Sequence, residues 1–159
     1  MFFWHDGCFI KIVMFEAAIN NTEQNEPDTA QDLKPENVLI LDDEGIVTMA
    51  LGHFLEDLGH NVESASTVRE LEFRKGKTLS QIGIVLVGIN GDRESALQMM
   101  EEVREHCPDA DLVIMSRDGS VVSLNQALSN RVFGYLKKPV RLAELELMIK
   151  RMDEWRYRK

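Results

Sequence analysis

The sequence predicts an α/β fold, a doubly wound parallel sheet of five strands flanked by five helices. Three observations carry that expectation. From residue 38 onward, short apolar runs alternate with segments of helical period, the pattern that parallel strands joined by right-handed helical crossovers require. One run, IGIVLV (residues 82–87), is apolar without interruption, as a strand covered on both faces must be. The chain has 159 residues, 44% of them hydrophobic, enough for one domain with an ordinary core.

Residues 1–19, MFFWHDGCFIKIVMFEAAI, are apolar but broken by His5, Asp6, Gly7, Lys11 and Glu16. A bilayer span needs roughly 20 apolar residues, so no transmembrane segment is predicted. The basic start and small-residue cleavage site of a secretory signal are missing too. Three readings stay open: an element docked on the domain or a partner, a membrane-surface anchor, or an extension without a role in the fold. Residues 20–37, NNTEQNEPDTAQDLKPEN, are polar and acidic and bury too little to offset chain entropy, so they read as a linker. Residues 1–36 are therefore expected to be extension and linker, and 37–159 the folded domain.

VLIL (38–41) reads as the first strand and runs into Asp42, Asp43 and Glu44. Ile46, Met49, Ala50, Phe54, Leu55 and Leu58 then recur at helical spacing, with Gly59 as a C-terminal stop. NVESAS (61–66) is a second strand, residues 67–77 a short helix, and 82–87 the third strand. Asp92 is placed to cap a helix over 93–106, with Ala96, Leu97, Met100 and Val103 inward. Pro108 and Asp109 break it before a fourth strand, DLVIMS (111–116). A helix over 120–132, a strand FGYL (133–136) and a last helix over 142–156 follow, with Leu145, Met148, Ile149 and Met152 inward.

Composition excludes several functions. A net charge of -9 argues against nucleic-acid binding, because phosphate backbones need clustered Lys and Arg. The one basic cluster, Arg151 to Lys159, reads as a solvated helix end opposing the helix dipole. Cys8 and Cys107 lack CxxC partners, which excludes zinc ribbons and thioredoxin motifs and fits a reducing, cytoplasmic compartment. His5, His53, His60 and His106 have no metal-ligand spacing and read as surface or half-buried residues. No glycine-rich phosphate loop follows the first strand, which weighs against a nucleotide-binding or flavodoxin-like enzyme.

In doubly wound sheets ligands sit at the C-terminal strand ends, near the point where strand order reverses. The residues there are Asp42 and Asp43, Gly88 to Asp92, Ser116 and Lys138. VLILDDEGIVTMALGHFLEDLGHNV, DLVIMS and FGYLKKPVRLAELELMI resemble the receiver domain of two-component response regulators, over about residues 37–153. The resemblance implies a flavodoxin-like sheet of strand order 2-1-3-4-5. It implies that Asp42 and Asp43 match the magnesium-holding acids and that Asn90 matches a residue whose backbone carbonyl is a metal ligand. It further implies that Ser116 matches the phosphoryl-contacting hydroxyl, Lys138 the phosphoryl-pairing lysine, and Tyr135 the aromatic that swings with state. Pro139 is expected to follow a cis peptide.

Gly88 departs from the family. It stands where the phosphoaccepting aspartate is expected, and its neighbours Val87, Ile89 and Asn90 carry no acid. Glycine offers no carboxylate for acyl phosphate formation. Magnesium, which favours carboxylates plus phosphate, is then bound weakly or lost, and no cofactor is required. Two unit charges ~4 Å apart repel by about 4 kcal/mol at an effective dielectric near 20. Losing one acid relieves such strain and leaves Lys138 to lie against Asp42 or Asp43, holding the loop after the fifth strand in one state.

The expected function is a non-enzymatic receiver-like module of a two-component phosphorelay, not phosphorylated at the usual site and acting through protein contacts. The expected partner is a histidine kinase or downstream effector, or a second copy bound through the 120–156 face. Arg131, Lys137, Arg141, Glu144, Glu146 and Arg151 offer mixed charges there. The alternative is a phosphoaccepting receiver using another acid, such as Asp92. No DNA-binding element is predicted within the domain; an effector domain beyond the last helix stays open. The inert reading has a breaking point: another acidic side chain filling the place in front of Gly88, within reach of Asp43 and Lys138, points back to a phospho-switch.

Overall fold

A computed structural model describes residues 34–73, 79–91, 93–117 and 132–158. Five strands form one parallel sheet: β1 (Asn37–Leu41), β2 (Asn61–Ala65), β3 (Ile84–Ile89), β4 (Asp111–Ser116) and β5 (Val132–Lys137), in the order β2-β1-β3-β4-β5. The helices are α1 (Gly45–Asp57), α2 (Val68–Glu72), α3 (Arg93–His106) and α4 (Leu142–Tyr157), with a 3-10 turn at Leu79–Gln81. Residues 120–131 of the helix expected over 120–132 lie outside the described residues, as do residues 1–33 and Asp92, while Val132 opens β5 instead.

Alternation along each strand feeds two cores. Leu39, Leu41, Val85, Val87, Leu112 and Ile114 pack on one face with α2 and α3. Val38, Ile40, Ile84, Leu86, Val113 and Met115 pack on the other with α1 and α4. All six residues of β3 are buried, as its unbroken apolarity predicts. That strand starts two residues later than expected, so Gly88 lies inside it, paired in register with Met115, rather than after its end. Strand order reverses between β1 and β3, and this opens the crevice used by ligands in such folds.

Three expectations are corrected. Ile46, Met49 and Ala50 do not face the core: Ile46 is 80% and Met49 59% exposed, and Ala50 is exposed as well. Each residue turns about 100° around a helix axis, and α1 is oriented by Leu51 and Leu55, which place 46, 49 and 50 on the far side. His60 is buried. Arg156 is no solvated helix end: its guanidinium bonds Asp111 Oδ2 (3.0 Å), Glu36 Oε1 (2.7 Å) and the Gly83 carbonyl (2.7 Å), tying α4 to the starts of β1, β3 and β4.

α1 ends as its sequence suggests. Gly59, at φ 91°, takes the left-handed position that glycine adopts without strain. Its N–H and that of His60 cap the carbonyls of Glu56 and Leu55. Cys107 is a buried free thiol whose pKa is pushed up by burial. No helix among the described residues is long and apolar enough to cross a membrane.

Candidate functional site

The last residue of β1 delivers Asp42 into the crevice between β1 and β3. The Asp42 side chain is fully buried. Its Oδ1 accepts the Glu44 backbone N–H at 2.9 Å, a local turn typical of aspartate. Thr48 Oγ1 donates to the Asp42 and Glu44 carbonyls, both at 3.2 Å, and fastens this turn to the start of α1. Asp42 Oδ2 lies 2.7 Å from Lys138 Nζ, an ion pair off the hydrogen-bonding direction.

Lys138 is the hub. Its side chain is 2% exposed, yet its ammonium reaches Asp42 and also Glu44 Oε1 at 2.8 Å and Asn90 Oδ1 at 3.0 Å. Glu44 and Asn90 accept two of the three ammonium protons, and the Asp42 carboxylate adds an ion pair. Asn90 turns its amide N–H to Asp43 Oδ1 and so links the exposed Asp43 to the buried lysine. Arg117, just beyond β4, meets Glu44 Oε2 at 2.9 Å. The hydrogen bond from Lys138 holds the Glu44 carboxyl below its ordinary range, with both cations adding to the effect.

Gly88 makes the inward aspartate possible. A Cβ at residue 88 would overlap Asp42 Oδ2 and Cγ and lie 2.9 Å from Asp42 Cβ. Only a residue without a side chain leaves that volume free. An acidic side chain therefore does fill the place in front of Gly88, and it belongs to one of the two early aspartates rather than to a third acid. Its oxygens are taken by Lys138 and the Glu44 amide, and it is sealed from solvent.

The remaining residues join through the backbone. Ser116 is buried at the end of β4, and its carbonyl accepts both the Tyr135 hydroxyl and the Lys138 backbone N–H, each at 2.9 Å. Tyr135 packs half-buried against the α2/α3 core. The Lys138–Pro139 peptide is cis. Asp42, Gly88, Asn90 and Lys138 thus meet directly, Asp43 joins through Asn90, and Ser116 and Tyr135 brace the strand that carries Lys138.

Sequence reasoning assigned no role to the Glu44 carboxylate, the Asn90 side chain or Arg117. Glu44 directly follows the acid doublet and was within view. Arg117 carries no local signal, because it meets Glu44 across 73 residues of sequence. Three carboxylates and two cations leave this cluster with a net charge of -1.

Magnesium needs several oxygen ligands in near-octahedral array. Asp42, the buried acid of the doublet, spends its oxygens on Lys138 and Glu44. No group of three or more His, Cys, Asp or Glu side chains among the described residues is arranged to hold a metal. The residues so disposed do not fit the ion.

Residues 38–150 match the response regulator receiver domain family. Among curated proteins, an NtrX-like response regulator of Rickettsia bellii is 25% identical over 119 residues, covering 74% of this chain and 25% of its own length. The DNA-binding transcriptional regulator NtrC of Azospirillum brasilense is 24% identical over 114 residues, covering 72% of this chain and 23% of its own. The chain thus spans about a quarter of these relatives. Among solved structures, a response regulator from Thermotoga maritima superposes with a TM-score of 0.58 at 25% identity, covering 76% of this chain and 97% of that one. A CheY-like receiver domain protein from Methanospirillum hungatei does so with a TM-score of 0.61 at 20% identity, covering 79% and 100%.

Proposed function

This chain belongs to the response regulator receiver domain family, and we propose that within it residues 37–159 form a pseudo-receiver: a non-enzymatic signalling module held in one state by an internal ion pair. The observation that carries this reading is the Asp42 carboxylate, lodged in the volume of a residue-88 side chain and paired with Lys138 at 2.7 Å. In a phosphorylatable receiver the lysine waits for a phosphoryl group. Here Lys138 is hydrogen-bonded to Glu44 and Asn90 and ion-paired with Asp42, so an incoming phosphoryl group has to displace those partners. Gly88 offers no acceptor oxygen, and magnesium binds weakly at most.

The test is intact-mass measurement after incubation with a small acyl phosphate or phosphoramidate and magnesium. No mass gain is expected, and no magnesium affinity comparable to a phosphorylatable receiver. A stoichiometric gain of one phosphoryl group ends the reading. A second reading has one observation in its favour: Asp42 sits where an acceptor carboxylate belongs and touches the lysine. It then becomes a displaced acceptor, and peptide mapping of the phosphoryl group separates Asp42 from Asp92. Burial of the Asp42 side chain weighs against it, since an acceptor oxygen must face its donor.

Output passes through protein contacts, as fits a cytoplasmic signalling module. Glu144 and Glu146 of α4 pair locally, with Arg141 just before the helix (3.7 Å) and with Lys150 (2.7 Å). Such exposed pairs add little affinity, which weakens the case for the 120–156 face. The exposed stripe of Ile46, Met49 and Ala50 on α1 is the better candidate for a signalling partner, a kinase or an effector. Ile46→Glu with Met49→Glu is expected to abolish capture of a cognate kinase while leaving the melting temperature within ~2 °C.

A further inference from the structure

At the opposite end of the sheet from the candidate site, His60 is buried to 4% exposure between α1 and β2. Its Nδ1 accepts the backbone N–H of Glu36 at 3.2 Å. An imidazole nitrogen that accepts carries no proton, so the proton is on Nε2. Nε2 is buried and has no hydrogen-bond partner. The ring is neutral, and its second nitrogen is committed to the segment leading into β1.

Glu36 is held three ways. His60 takes its N–H, the Asn61 N–H donates to its carbonyl at 2.9 Å, and Arg156 of α4 bonds its carboxylate at 2.7 Å. Arg156 also binds Asp111 and the Gly83 carbonyl. Two residues upstream, Lys34 Nζ sits 4.6 Å from the centre of the Tyr157 ring at the end of α4. The charged groups that face His60 are the carboxylates of Glu36 and of Asp153 on α4, with Arg156 behind Glu36.

We propose that His60 is an acid-sensitive latch on residues 34–36, the segment through which the N-terminal part of the chain joins the domain. A second proton on the ring must go to Nδ1. That turns the acceptor into a donor facing the Glu36 N–H, and the bond is lost. The new cation then competes with Arg156 for the Glu36 carboxylate. Burial opposes this protonation, while Asp153 and Glu36 favour it, and the balance holds the His60 pKa below its ordinary 6.5. A group whose folded-state pKa is depressed contributes stability above its unfolded value and loses it as pH falls through the folded one. The latch is therefore closed above pH 6.5 and opens on acidification below that.

The experiment is an NMR pH titration of the full chain from about pH 7.5 to 5, where an unperturbed imidazole would already change charge. The His60 ring and the Glu36 amide are expected to move together, with a midpoint below 6.5, while the Tyr135 amide at the far end of the sheet stays still. His60→Asn keeps an acceptor and cannot be protonated, so the Glu36 transition should vanish. His53→Asn, on the exposed face of α1, should leave it in place. A Glu36 amide that ignores the His60 titration overturns the proposal, as does a transition that survives His60→Asn. Should that variant fail to fold, a wild-type His60 midpoint at or above 6.5 refutes the latch by itself.

Discussion

Replacing Gly88 by Ala separates the steric account of this site from the ordinary behaviour of glycine. In a strand interior, Gly→Ala normally stabilises by about 0.5–1 kcal/mol, because glycine loses more backbone entropy and packs nothing. Here the new methyl overlaps the Asp42 carboxylate and lies 2.9 Å from Asp42 Cβ. Rotating the aspartate moves Cγ and Oδ2 but not Cβ, which is fixed to β1. Strand β1 is held to β3 in register, Leu41 opposite Val87, so the backbones cannot part without breaking ladder bonds. Asp42 must leave, and Lys138 loses one of its two carboxylates. Overpacking costs about 1–3 kcal/mol, and breaking a buried pair by removing one partner costs about 3–5 kcal/mol. Because Glu44 stays on Lys138, a loss near 3 kcal/mol is the working figure, within the range of these two effects. With a urea slope of about 2 kcal/mol/M the midpoint falls by about 1.5 M, and the melting temperature by about 10 °C. In an Asp42→Ala background the obstacle is gone, so Gly88→Ala should return to neutral or slightly stabilising. The two changes then couple by about 3 kcal/mol or slightly more in a double-mutant cycle. A Gly88→Ala protein as stable as the parent, or more so, would show that Asp42 does not need the glycine.

Lys138→Met leaves the buried Asp42 carboxylate without its cation and should destabilise by about 3–5 kcal/mol, read by urea unfolding. Adding Asp42→Asn to it should recover part of that loss, because the stranded charge goes with it. Glu44 is held below its ordinary pKa of 4.5 by Lys138 and Arg117, so its contribution is in place above pH 4.5 and is lost as pH falls below it. Glu44→Gln should flatten the fall in melting temperature between about pH 5 and 3, the window in which carboxylates gain protons. Arg156→Lys keeps the charge but cannot reach Asp111, Glu36 and the Gly83 carbonyl together. A loss of about 1–3 kcal/mol is expected, since a planar fork is replaced by a point charge, and full retention of stability would mean the network adds nothing.

The elements were legible in the sequence because each is set by local periodicity. The apolar runs at 38–41 and 111–116 became strands whole, and the run at 82–87 became one shifted to Ile84–Ile89. The order of chemical groups at their tips suggested the family, and the match over residues 38–150 bears that out. The errors fall where a neighbour decides. Met49 and Leu55 look equally apolar, but only the rotation of α1 on the sheet exposes one and buries the other. His60 and Arg156 carry polar labels that read as surface until the starts of β1, β3 and β4 close around them.

By itself the sequence determined the doubly wound architecture, the acids after β1, the Ser and Lys-Pro positions, and the glycine where a carboxylate was expected. Hydrophobic spacing along the chain is enough to set the architecture, whereas the acids, the Ser, the Lys-Pro and the glycine in place of a carboxylate were read from the resemblance to the receiver family. Tertiary structure alone decided what the glycine does. Glu44 and Lys138 stand 94 residues apart, and nothing in local spacing says that Asp42 turns inward over Gly88 rather than outward beside Asp43. That choice follows from the absence of a Cβ on β3 next to a buried ammonium delivered by β5, a coincidence of three strands that exists only once the sheet has formed.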